Sequence, residues 1–165
     1  MQTKAPSVMQ EDLLYFEDLN VGDRFGSGVF ELRAQDITGF AGDFDPQPFH
    51  LDAEAAKQSA YQGLAASGWH TAAITMRLLV EGGPRLAHGL IVAGGQIEWR
   101  SPARPGDILH VDSQVLHLLG SRAHPDHGLV VLRVTTLTQH GDVVQTFTAN
   151  LVVARRGGAV GTGMT

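Results

Sequence analysis

Hydrophobic positions along this chain change their spacing so as to set one long helix apart from a run of strands. Residues 24–34 (RFGSGVFELRA) alternate loosely and predict a first strand after the turn at Gly22-Asp23. Residues 35–41 predict a short helix with Ile37 and Phe40 on its inward side. A proline-containing segment follows, and Leu51 then opens a helical stretch that Asp52 is placed to cap. The long helix starts near Ala65 or Ser67, runs to Val80 and is closed by Glu81-Gly82-Gly83-Pro84. It is apolar almost all round (Trp69, Ala72, Ala73, Ile74, Met76, Leu78, Leu79, Val80), so the pattern predicts cover on most sides.

Only strand signals come after it. Residues 89–93 are short and apolar, residues 95–100 alternate, and Ser101-Pro102-Ala103-Arg104-Pro105-Gly106-Asp107 turns the chain. Residues 108–119 alternate again, with Leu109, Val111, Ser113, Val115 and His117 on one side. A polar loop over 120–128 leads to a strand at 129–139, a hairpin turn at His140-Gly141-Asp142 and a last strand at 143–154. Strands joined by short turns make an antiparallel sheet, and one sheet around one buried helix is an α+β architecture. A single such sheet leaves edges that a second copy would cover, which predicts a homodimer or a higher homo-oligomer.

Composition narrows the function classes. The 165 residues suit one domain, expected over 15–156, with flexible segments at 1–14 and in the glycine-rich tail at 157–165. A net charge of −5 and no basic stripe argue against nucleic acid as a partner. There is no cysteine, hence no disulfide, thiolate nucleophile or thiolate metal site. No run approaches the apolar length of a membrane span and no export signal is evident, so the expected location is cytoplasmic.

The segment Phe44-Asp45-Pro46-Gln47-Pro48-Phe49-His50 carries the candidate chemistry. Its prolines fix φ, and the residue before each is pushed from helical geometry, so Asp45 and Gln47 are expected to be extended. A stiff, non-helical segment of this kind can hold Asp45 and His50 at a fixed separation, one orienting a water and the other taking its proton. Asp43 is assigned to the surface. Ser67 reads as an N-cap, and His70 as a core or cavity-lining residue of the buried helix. His124-Pro125-Asp126-His127 lies in a loop with no element to aim ligands, so no metal site is expected. No dinucleotide or P-loop motif is present.

Three motifs in order resemble the MaoC-like dehydratases, a family that includes the (R)-specific enoyl-CoA hydratases of the hotdog fold. Asp45, Pro48 and His50 in GDFDPQPFHLD match the family's Asp-x-x-Pro-x-His signature. Ala66-Ser67-Gly68-Trp69-His70-Thr71 matches the start of its central helix, and residues 100–107 match its strand-turn-strand. The resemblance spans about residues 15–155 and implies a hotdog fold, a dimer and a site for an acyl thioester of coenzyme A or acyl carrier protein. It implies that Asp45 and His50 activate water and that the Gly68 backbone N–H polarises the thioester carbonyl. Phe49, Ser67, Trp69 and His70 are implied around the substrate, with no cofactor beyond the coenzyme A thioester itself. An N–H at a helix N-terminus is also where charge on that carbonyl is best stabilised.

Arg77, Arg100 and Arg104 are candidates for coenzyme A phosphates. One departure stands out: a serine that fixes the catalytic histidine in some hydratases is replaced in the turn Met76-Arg77. Another group must then orient His50, or the substrate class differs. The competing functions are a non-catalytic acyl-thioester-binding module and a thioesterase. Thioesterases of this fold usually carry a carboxylate on the central helix, and residues 69–80 contain none.

Overall fold

The structure is a computed structural model and describes residues 13–158. Most of the two terminal segments expected to be flexible therefore lies outside the described residues. A short 3-10 turn (Phe16–Asp18) leads to β1 (Arg24–Phe25) and β2 (Val29–Glu31), then to the helices α1 (Ala34–Phe44), α2 (Pro48–Leu51), α3 (Ala53–Lys57) and α4 (Gly68–Gly82). Four long strands complete the chain: β3 (Ile91–Trp99), β4 (Ile108–Gly120), β5 (His127–Leu137) and β6 (Val143–Ala154).

All strand pairings are antiparallel, in the order β1-β4-β5-β6-β3, with β2 also on β4. The expected single strand over 24–34 is thus two short strands on one edge of β4, interrupted at Gly26-Ser27-Gly28. At the interruption the Ser27 hydroxyl accepts from Val111 N–H at 2.8 Å, replacing a ladder bond. The pieces expected at 89–93 and 95–100 are instead one strand, β3, with a register shift between Val92 and Gly94. The hairpin turn between β5 and β6 is as expected, with Gly141 at φ 83° where other residues are strained.

The inner face of the sheet wraps around α4, as expected of the hotdog fold. Leu109, Val111 and Val115 of β4, Leu132 and Val134 of β5, and Ala149, Leu151 and Val153 of β6 are buried in one cluster with Ile74, Leu78 and Leu79 of α4. The expected inward row of β4 breaks at its end. A bulge between Val115 and His117 inserts one unpaired residue, so His117 faces solvent and Leu118 packs on the core.

Helix boundaries follow local chemistry. The Asp36 carboxylate accepts from Arg33 N–H at the start of α1, and Asp52 accepts from Ala55 N–H at the start of α3. Ser67 caps α4 by accepting from Trp69 N–H at 3.2 Å. One side of α4 buries His70, Thr71, Ile74, Thr75, Leu78 and Leu79. The opposite side is not covered by the described residues: Trp69 and Val80 are 61% and 66% exposed, and Ala73 is exposed between them. The expected cover on most sides is therefore only half supplied by this chain's own sheet.

Candidate active site

Pro46 cannot continue α1, so the helix stops at Phe44 and Asp45 takes a non-helical conformation (φ −150°, ψ 66°). Gln47 is extended ahead of Pro48, as expected (φ −95°, ψ 144°). Pro48 then occupies the first turn of α2, where its missing N–H costs nothing, and His50 N–H donates to the Gln47 carbonyl at 2.9 Å. This corrects the expectation of a non-helical segment up to His50. A fully extended chain would place residues five apart at about 16 Å. The turn of α2 folds His50 back, so that Nε2 lies 3.4 Å from Asp45 Oδ2.

His50 is buried, and a single backbone group orients it. Its Nδ1–H donates to the Ala65 carbonyl at 2.6 Å, because a carbonyl can only accept. That supplies the orienting group left open by the missing helix serine. Ala65 is in turn held from both sides. Ala66 N–H donates to the Ala103 carbonyl at 2.9 Å, and the Arg104 guanidinium donates to the carbonyls of Leu64 and Tyr61. Arg104 is thereby committed to this loop. Arg100 pairs with Glu98 at the cavity rim, and Arg77 pairs with Glu81 on the exposed side of α4.

Asp45 is kept ionised. The Ser67 hydroxyl does most to hold its carboxyl below the ordinary range; burial opposes it, and the Gln47 side chain and His50 add smaller lowering effects. The Gln47 amide donates to Asp45 Oδ1 at 2.6 Å, leaving Oδ2 to face His50. Ser67 therefore caps α4 and steadies Asp45 together.

These groups line an open cavity of about 450 Å³ that also receives Phe49, Trp69 and Gly68. The Phe49 ring meets His50 edge-on at 4.6 Å, and Tyr61 lies 5.0 Å from Phe49. Trp69 packs edge-on against Trp99 at 5.3 Å. Gly68 opens α4, so its N–H belongs to the first turn, which has no intrahelical acceptors. The space its missing side chain would occupy is taken by Trp99. A Cβ built on Gly68 would lie 2.5–2.9 Å from three atoms of that indole.

His70 is set apart from the cavity. Its ring stacks on Phe40 at 4.6 Å, and its buried Nδ1 has no hydrogen-bond partner among the described residues. Burial lowers its pKa, against a smaller opposing effect of the Asp36 charge. Asp43 is exposed, as assigned.

The sequence pattern does not by itself mark Gln47, Tyr61, Trp99 or the Ala65 carbonyl as site groups. Gln47 had a visible signal, a polar side chain between the two prolines. The Ala65 carbonyl had none, because a backbone acceptor leaves no trace in residue identity. Beyond the Gly120 end of β4, the ligand atoms of His124 and Asp126 in the loop and of His127, which opens β5, lie within 4.8 Å of one another, so one of the three does sit on an element.

Comparison with known proteins places this geometry in context. The model of the MaoC like domain matches residues 27–140. A 3-hydroxybutyryl-CoA dehydratase of Methylorubrum extorquens is 32% identical over 114 residues, covering 67% of this chain and 69% of its own. The crystal structure of a MaoC-like dehydratase from Rhodospirillum rubrum is 57% identical with a TM-score of 0.85, covering 87% of this chain and 98% of its own. An R-hydratase from Pseudomonas aeruginosa shares the fold at 23% identity, with a TM-score of 0.68 over 92% of this chain and 95% of its own.

Proposed function

We propose that this chain, which belongs to the MaoC-like domain family, is a hydro-lyase that adds water to a trans-2-enoyl thioester or dehydrates the (R)-3-hydroxyacyl thioester. The observation that carries the reading is the facing of two acceptors across 3.4 Å. With Nδ1–H given to Ala65, the Nε2 of a neutral His50 is a lone pair, and Asp45 Oδ2 is a carboxylate oxygen. Two acceptors cannot bond each other. A water beside the pair, on the cavity side, can donate to both, which orients its oxygen lone pair toward the cavity.

Attack of that water oxygen on C3 of the enoyl group moves the double-bond electrons toward the thioester oxygen. The Gly68 N–H belongs to the positive end of α4, which supports its role in stabilising the charge there. The water proton held by His50 or Asp45 then goes to C2, closing the balance as one water added across C2=C3. Water and proton come from the same side of the alkene, which gives syn addition. The cavity's size suits a short acyl group with part of a pantetheine arm, whether of coenzyme A or of acyl carrier protein.

The enzyme works as a cytoplasmic homodimer in this reading. The row of Trp69, Ala73 and Val80 on α4 and the edge of β3, both without cover among the described residues, support the dimer. A stable monomer at micromolar concentration in sedimentation would rule that assembly out.

The test is hydration of a panel of enoyl thioesters, followed by loss of the conjugated absorbance, with chiral analysis of the product. Asp45→Asn and His50→Asn should each lose about 10²–10⁴ in rate. The double variant should lose little more than the worse single one, since both act on one water. Full activity in either folded single variant, or a parent inert with every enoyl thioester, returns the site to a binding role.

A further inference from the structure

A thread of polar groups runs from the sheet through the core to the cavity wall. The Thr75 hydroxyl of α4 donates to the Thr71 carbonyl at 2.8 Å, so it can only accept from its other neighbours. Thr136 of β5 therefore donates to it at 2.6 Å, and the Gln145 amide of β6 donates at 3.1 Å. The Gln145 carbonyl oxygen accepts from Trp99 Nε1–H at 3.0 Å. Thr75, Thr136 and Gln145 are buried to 1% exposure or less. Apolar residues would hold helix to sheet without desolvating these groups. What the thread adds is direction: each donor has one acceptor, and a satisfied buried network fixes its members in one arrangement.

Its outer end is Trp99, 45% exposed on the edge strand β3, where Trp69 meets the ring edge-on and Gln145 takes its N–H. The tether lays the indole against Gly68 and into the cavity wall. We infer that Trp99 is a positioning residue whose indole, aimed by Gln145, forms the fixed wall beside the Gly68 N–H and sets where the thioester carbonyl rests. The inference rests on the proposed hydratase reading for the identity of that carbonyl.

The two tryptophans of the chain both line this cavity, so intrinsic fluorescence reports on the site. Gln145→Leu removes the tether and keeps the indole. Acrylamide quenching should then rise and kcat for crotonyl-CoA should fall about tenfold or more, with KM within about twofold, since misplacement of roughly 1 Å can cost about 10². Unchanged quenching, or unchanged kcat with a loosened indole, overturns the inference. Should Gln145→Leu fail to fold, Trp99→Leu at its half-exposed position decides, and an unaltered kcat/KM there overturns it equally. A parent that hydrates no enoyl thioester sinks the hydratase reading by itself. The wall is then judged by calorimetry with butyryl-CoA, whose affinity should weaken about fivefold in Trp99→Leu. Equal affinity in both proteins, or no binding to the parent, overturns it.

Discussion

The Nδ1–H of His50 points at the Ala65 carbonyl, 2.6 Å away, and this contact determines which nitrogen of the imidazole meets Asp45. Ala65 sits in the loop that Arg104 ties down through the carbonyls of Tyr61 and Leu64. Arg104→Met keeps the aliphatic stem and removes those charge-assisted bonds, each worth about 1.5–3 kcal/mol when lost. We expect a lower urea midpoint and a reduced turnover. Arg104→Lys should not restore either, because one ammonium cannot span two carbonyls as the planar fork does. Unaltered stability and rate in the methionine variant would show that the loop holds itself.

Ser67 has two duties, and Ser67→Ala should reveal both. Loss of the N-cap costs about 1 kcal/mol of stability. Loss of its hydroxyl beside Asp45 should let that carboxyl titrate closer to its ordinary value. Because the folded pKa is depressed, the associated stability is present above the unfolded value and lost as pH falls through the folded one. The acid limb of kcat against pH should therefore move upward in Ser67→Ala. A stability loss with the limb unmoved would confine Ser67 to capping.

Gly68 and Trp99 share one space. Gly68→Ala should displace the indole, since its Cβ would sit 2.5 Å from Trp99 Cε2. Removing the ring in Trp99→Ala makes room for that methyl. The two changes should thus be strongly non-additive, with a coupling of about 0.5–3 kcal/mol in urea unfolding. Additive losses would mean that the indole yields without strain. A bulky residue at position 68 acts first on Trp99, so lost activity in such a variant does not isolate the backbone N–H.

His70 should make the fold sensitive to acid. Its folded pKa is lowered by burial beneath Phe40, with Asp36 opposing. The unfolded chain therefore takes up a proton first, and stability falls as pH drops below about 6.5 toward the folded value. His70→Phe keeps a ring to stack on Phe40 and removes the titration and the orphaned Nδ1. Its urea midpoint should change less between pH 7.5 and 5.5 than that of the parent; equal slopes would assign the acid sensitivity to other groups.

Much of this architecture is local and was legible in the residue order. Ser67 and Asp52 cap the helices they precede because each bond closes within a few residues. Pro46 and Pro48 punctuate their segment because proline acts on its own φ and on its immediate neighbour. Alternation located β4 for the same reason: side chains at every second position must share a face. The tertiary structure decided whatever depends on a partner distant in sequence. The bulge that turns His117 outward is a matter of register with β5, and register is a property of two strands. The outer side of α4 stays bare because the chain's own sheet can cover only one side of a helix. His50 meets its acceptor 15 residues away, and Trp99 meets Gln145 46 residues away. Spacing along the chain thus placed Asp45 and His50 together in one segment, but only packing chose the nitrogen that faces the carboxylate and the wall that faces Gly68.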